Sequence, residues 1–340
     1  MSDLFEDVIG HSNVVQLLDS ELPKPGQAYL FTGPQSVGKE HVALRFAAGL
    51  LGGETDERAR RLALSKSHPD LTILEPEGAA SLGVDQAREV VARASMAPIE
   101  ASRSVFLLPD AGAMTDQAAN ALLKTLEEPS ASVTFLLVSE SEDDFPPTVA
   151  SRCRTIHMGR VPLPEIVSAL TDRGVDEEQA TGVAIVSGGR PGLALSLMTR
   201  PEVAAFRDIW LSVPGRVTPH PGDGQRLASL MLSEIEPLVE DAVPEGLSRD
   251  KSQRARRRAE SSLLVSGLEI LASWYSDSAS LQMGGPVRNT DLDLAPFTDV
   301  APRRAVDSAE RVLDAVVDIQ LNLRRELVLA NLFASLGSDT

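Results

Sequence analysis

Residues Gly33-Pro34-Gln35-Ser36-Val37-Gly38-Lys39-Glu40 form a phosphate-binding loop with one substitution against the pattern G-x-x-x-x-G-K-[ST]. In that pattern the glycines let backbone N–H groups wrap a polyphosphate. The lysine reaches the outer phosphates, and the final hydroxyl ligates Mg²⁺. Here Glu40 stands at the hydroxyl position and brings negative charge toward an anionic triphosphate. Gly33, Gly38 and Lys39 therefore read in two ways: as a loop that still grips ATP, or as a tight turn kept for its shape. Glu40 has a second reading too, because an acid in the first turn of a helix is favoured by the helix dipole. The loop points to a relative of a nucleotide-driven motor, altered where hydrolysis depends on the metal.

The surrounding sequence supplies the elements such a loop needs. Residues 28–32 read as a strand running into it, and residues 39–51 as the helix leaving it, closed by Gly52 and Gly53. Further strands are expected at 71–74, 104–108, 133–138 and 155–157, with helices at 84–94 and 115–127, the latter capped by Thr115. Apolar strands alternating with helices predict a parallel sheet covered on both faces, with the ligand at the C-terminal ends of the strands. After residue 160 three short helices are expected at 162–173, 177–186 and 191–198. From about residue 204 the chain reads as helical, with long apolar-periodic stretches at 260–275 and 303–336. Looser links are expected at 213–224 and 283–302, and residues 54–61 read as a charged stretch. Three domains follow: 1–160, 161–203 and 204–340.

Composition narrows the class. The chain has 340 residues, 43% of them hydrophobic but only 4% aromatic, so its cores must be aliphatic. A net charge of −17 argues against a broad nucleic-acid-binding face, which needs Lys and Arg, and favours protein partners. The single cysteine, Cys153, excludes an internal disulfide and a cysteine-based zinc site, and fits a reducing cytoplasm. It reads as an apolar filler rather than a nucleophile. The polar, acidic first ten residues do not read as a signal peptide. No apolar run nears the ~18 residues needed to cross a bilayer. The five histidines show no metal-ligand spacing. The basic run at 251–258 reads as a solvated helix face, with a DNA- or partner-facing patch as the alternative.

Four motifs in fixed order resemble the clamp-loader branch of the AAA+ ATPases. They are the phosphate loop, Asn120-Ala121-Leu122-Leu123-Lys124-Thr125-Leu126-Glu127-Glu128-Pro129, Ser151-Arg152-Cys153, and Gly189-Arg190-Pro191-Gly192-Leu193-Ala194. His68-Pro69-Asp70-Leu71 is also similar to this family. The likeness covers roughly the first 200 residues. It implies an α/β AAA+ domain with a parallel sheet, a small helical lid and an all-α collar.

The resemblance also assigns candidate roles. Arg152 matches an arginine finger that reaches a neighbouring subunit's ATP. Its planar, permanently charged fork suits phosphate oxygens, whereas a lone arginine more commonly ends in a surface salt bridge. Arg154 is the weaker alternative. Ser139 matches a first sensor or else caps a strand end, and Arg190 matches a second sensor with the same two readings. At the acidic Mg²⁺ site the chain has Pro109, which cannot ligate a metal, and Asp110 takes the place of a water-activating glutamate. With Glu40, two metal-site elements are damaged, and phosphoryl transfer rests on positioning and metal electrostatics. The four cysteines of the family's zinc module are missing.

The expected function is therefore a stator in the sliding-clamp loader of DNA polymerase III, in DNA replication. It supplies Arg152 to a neighbour and does not fire its own site. Implied partners are the gamma/tau and delta subunits and, through them, the beta clamp and primed DNA, in a cytoplasmic hetero-oligomer without membrane contact. Mg-ATP belongs chiefly to the neighbour, with at most weak ATP or ADP in the chain's own loop and no zinc or other resident metal. Two other readings stay open: an ATP-hydrolysing motor subunit of the same ring, and an AAA+ adaptor outside replication.

Overall fold

The computed structural model describes residues 3–53, 55–75, 82–128, 130–199, 202–220, 222–241, 243, 249–289, 292–321 and 323–338. Glu54 and Pro129 of the sequence motifs lie outside these, as do the side chains of Lys251 and Arg254. The chain divides into two compact units, residues 1–169 with 189–192 and residues 170–188 with 193–340.

The first unit is built on five parallel strands: β1 (Ala28–Thr32), β2 (Leu71–Ile73), β3 (Ser104–Leu108), β4 (Val133–Val138) and β5 (Arg154–His157), in the order β2-β3-β4-β1-β5. Every residue of β1 and β4 is buried. Alternate side chains serve opposite faces, as the pleat requires. Tyr29, Phe31, Leu107, Leu136 and Val138 enter one core, and Ala28, Leu30, Phe106, Phe135 and Leu137 the other.

The first core is closed by α1 (Ser12–Glu21) and α2 (Lys39–Gly52). In α2 the small residues Ala43, Ala47 and Ala48 let the helix lie close to the sheet, and Phe46 meets Tyr29 edge to face at 5.0 Å. A short helix α3 (Glu57–Leu64) follows, capped by Asp56, which accepts from Ala59 N at 2.9 Å. The sequence reading missed it because its polarity hides the amphipathic pattern that buries Ala59 and Ala63. The other face is closed by α4 (Val84–Ala94) and α5 (Asp116–Glu127), with a one-turn helix α6 (Pro147–Ala150) beside them. Thr115 caps α5, accepting from Ala118 N at 3.2 Å.

Helix α7 (Leu163–Thr171) carries the chain into the second unit, where α8 (Glu177–Ser187) lies. Helix α9 (Pro191–Leu197) begins in the first unit and ends in the second. The rest comprises α10 (Glu202–Leu211), α11 (Asp223–Asp241), α12 (Arg249–Gln282), α13 (Pro302–Gln320) and α14 (Arg325–Ser338). The expected single stretch at 303–336 is two helices. α12 packs along α13, and α11 along α14. Trp210, Leu264, Leu268, Leu271 and Phe297 fill the interior without exposure. The fold is α/β as expected: a parallel sheet in the first unit and helices through the described residues that follow. None of the described helices is long and apolar enough to cross a membrane.

One motif of the resemblance is structural. Asp70, only 4% exposed, accepts hydrogen bonds from the backbone N–H groups of Ile99, Glu100 and Ala101 at 2.5, 2.8 and 2.8 Å. Its own N–H donates to His68 Nδ1 at 3.1 Å. Burial pushes its carboxyl up, but the three donors, with His68, hold it below the ordinary carboxylate range. A depressed carboxyl stabilises the fold above the unfolded value of about 3.9, and that contribution is lost as pH falls through the folded value. Asp70→Asn faces its amide toward N–H donors. It is expected to cost ~1–3 kcal/mol at pH 7, and less as the pH is lowered toward 3. Urea unfolding of both chains across that range checks this; a pH-independent difference would refute the carboxylate's role.

Candidate functional site

The phosphate loop leaves β1 at Gly33 and enters α2 at Lys39. Gly33 has φ 138° and Gly38 φ 101°, a region that L side chains rarely adopt. A Cβ on Gly33 would collide with the carbonyl oxygen of Met158. Ser36, without glycine's freedom, also sits at φ 60°. The conformation is held by atoms of the chain itself. His11 Nε2–H donates to Val37 O at 2.9 Å. Burial lowers the pKa of His11, against the opposing pull of Val37 O and Glu165, so the ring is neutral near pH 7. Gly192 N–H donates to Ser36 O at 2.8 Å. The approach there is so close that a Cβ on Gly192 would lie 2.9 Å from that oxygen.

Lys39 is 8% exposed, and its ammonium donates to the carbonyls of Gly33 and Pro34, both at 2.6 Å. Glu40, where a metal-ligating hydroxyl would stand, pairs with Lys66 Nζ at 2.9 Å. Both partners are more than 40% exposed, so the pair adds little to stability.

The remaining candidates gather at the same ends of the strands. Ser139 follows β4, and its N–H donates to Phe31 O at 2.9 Å, beside the loop. Its hydroxyl donates to the carboxylate of Asp144, which also accepts from Ser141 N at 3.0 Å. Asp110 lies just past β3, two strands from β1, with its carbonyl accepting from Ala113 N at 3.1 Å. Arg190 is 2% exposed and precedes the Pro191-Gly192 segment that rests on the loop. Gly33, Gly38, Lys39, Glu40, Ser139, Asp110 and Arg190 thus lie toward the C-terminal ends of the strands.

Arg152 lies elsewhere. It precedes β5, whose Arg154 pairs with Tyr29 of β1, four residues before Gly33. At ~3.3 Å per residue that register alone puts about 13 Å between Arg154 and the loop. Arg152 is farther back, at the N-terminal end of the strand. Its Nη1 donates to Thr148 O at 2.6 Å, and its Nη2 forms an ion pair with Glu127. The guanidinium stays 33% exposed. Arg154 is engaged by Glu21, which also accepts from Tyr29 OH at 2.5 Å. Cys153 is largely buried, which pushes its thiol pKa up to about 12 and keeps it protonated. In the basic run, Arg256 is paired with Glu236.

The sequence reading missed His11 and Glu127 as partners of the site. The sequence offers no signal for His11's contact with Val37, 26 positions away; in the structure Gly10 and His11 both adopt positive φ just before α1. Glu127 stood inside the quoted 120–129 motif, whose acids read as structural or interfacial, but its pairing with Arg152 carried no signal, because only the packing of α5 against α6 brings them together.

Comparison with known proteins bears on the first unit. Residues 10–162 match the family described as DNA polymerase III, delta subunit. The chain is 37% identical over 177 residues to DNA polymerase III subunit delta′ of Pseudomonas aeruginosa, covering 48% of this chain and 53% of that protein. It is 37% identical over 142 residues to subunit delta′ of Escherichia coli K12, covering 41% and 42%. To subunit tau of Bacillus subtilis it is 32% identical over 182 residues, covering 52% and 32%. The match thus spans between about a third and just over half of the length of these relatives. Among solved structures, a DNA polymerase III gamma subunit-related protein from Thermotoga maritima aligns at TM-score 0.43 and 18% identity, over 95% of this chain and 98% of that one. The matched residues 10–162 hold both the phosphate loop and Arg152.

Proposed function

We propose that the chain is a delta-prime-type subunit of the DNA polymerase III clamp loader. It acts in DNA replication as a cytoplasmic stator that donates Arg152 to a neighbour's Mg-ATP. The observation that carries this reading is the placement of Arg152 at the opposite end of the strands from the chain's own phosphate loop. An exposed guanidinium there cannot serve its own loop, so any phosphate it meets belongs to another subunit. In this reading residues 161–203 form the lid and 204–340 the collar. The gamma/tau and delta subunits are the direct partners, with the beta clamp and primed DNA reached through them.

Two further features support the reading. Lys39 is engaged by its own loop's carbonyls, Glu40 faces Lys66, and Pro109 cannot ligate a metal. ATP or ADP in this loop would therefore lack its usual Mg²⁺ ligands. In the second unit, Val306, Leu313 and Val317, spaced seven and four residues apart on one face of α13, remain 42–51% exposed. An apolar strip of this kind suits burial against another chain.

The motor reading is the main competitor, since the relatives include a tau subunit. Replacing Arg152 by Ala in a reconstituted loader is expected to lower DNA- and clamp-stimulated ATPase by ~10-fold or more, arginine fingers being worth up to ~10³–10⁵. The complex should still assemble, as gel filtration would report. An unchanged rate in an intact complex would defeat the finger assignment. Lys39→Ala is expected to leave clamp loading within about twofold of wild type. A large loss, together with ATP hydrolysis by the isolated chain, would establish the motor reading instead. Failure of the wild-type chain to join gamma/tau and delta would point to the adaptor reading.

A further inference from the structure

We infer that Glu127 is a positioning residue for Arg152; the inference rests on the proposed finger role of that arginine. Arg152 follows the C-cap of the one-turn helix α6 and is 33% exposed. A side chain with four rotatable bonds in such a place would ordinarily sample many directions, and ordering it costs conformational entropy. Two acceptors from different elements narrow that freedom. Thr148 O, one of the carbonyls left over at the end of α6, accepts from Nη1 at 2.6 Å. The carboxylate of Glu127, the last residue of α5, holds Nη2.

Together they fix the guanidinium plane at both terminal nitrogens. The arginine fork carries five N–H donors, and these two contacts engage one on each terminal nitrogen. Nε–H and one N–H on each Nη are left to meet an oxyanion. Glu127 is itself 45% exposed, so its carboxylate holds the fork from the side without enclosing it. Its own anchor is firm: α5 is pinned to the sheet through the buried Ala118, Ala119, Leu122 and Leu126. The direction of the finger is thus set jointly by the carboxylate anchored on α5 and by the Thr148 carbonyl of α6, the short helix that Arg152 follows.

The test uses the reconstituted loader with four forms of the chain: Arg152→Ala, Glu127→Ala, Glu127→Gln and the double Ala variant. Glu127→Ala is expected to lower the kcat of stimulated ATP hydrolysis about tenfold with the KM for ATP unchanged, as for a misplaced catalytic group. Glu127→Gln keeps an acceptor oxygen and the shape of the side chain, and is expected to recover the rate to within about threefold of wild type. The double variant should be no slower than Arg152→Ala alone, because the two residues act as one unit. If Arg152→Ala slows the loader and Glu127→Ala does not, the positioning role is wrong and the finger stands. Additive losses, or no rescue by Gln, would equally overturn it. A faster Glu127→Ala loader would mean that the carboxylate restrains the arginine rather than aims it. If Arg152→Ala has no effect in an assembled complex, the finger reading fails and this inference fails with it.

Discussion

The constraint on which the first unit depends is the double burial of β1. Its five residues are enclosed on both faces, and both of its edges are hydrogen-bonded, to β4 on one side and β5 on the other. A strand held this way cannot shift register without turning Tyr29 and Phe31 out of one core and Leu30 out of the other. The same strand delivers Gly33 against the carbonyl of Met158, so the mouth of the phosphate loop is fixed by packing that begins several residues earlier. Each fully buried Phe or Leu in this arrangement contributes ~1.5–3 kcal/mol. The loop's geometry is therefore as durable as the core beneath it and does not need a bound ligand to persist.

What the loop does with its polar groups follows from that rigidity. A cradle of backbone N–H groups and a lysine exists to receive anionic oxygens. In this chain the lysine is turned onto Gly33 O and Pro34 O, His11 holds Val37 O, and Gly192 holds Ser36 O. The His11 and Gly192 contacts use carbonyls rather than the N–H groups a phosphate would meet, whereas the Lys39 contacts occupy the ammonium that would meet one. Glu40 and Pro109 stand at positions where the motif pattern has a hydroxyl and an acid.

Much of the first unit was legible in the sequence. The strands at 28–32, 104–108 and 133–138 coincide with β1, β3 and β4, because uninterrupted apolar runs bounded by polar turns leave little choice of limits. The helix at 84–94 was equally clear. The helix α3 was hidden because a short helix with three arginines buries only two alanines, too little apolar signal to stand out from charge. In the second unit the break between α13 and α14 was not visible, since apolar residues continue through Leu321 and Leu323. Gly33, Lys39 and Arg152 were legible because motif spacing names them. Their partners were not, since Glu127 and Arg152 are 25 positions apart and meet only once α5 and α6 are packed.

A parallel sheet has polarity, and here both chemically distinctive features sit on that axis, the phosphate loop at the head of the strands and Arg152 at the foot. Two copies of such a fold that join foot to head cannot do so by a twofold axis, because the surfaces that meet are different. Association of that kind is heterologous and runs in one direction. A row assembled this way has two unlike termini, and each member has a defined place in the order. In such a row, a member's contacts at its head and at its foot are with different neighbours, so the two ends of the sheet face different selective demands.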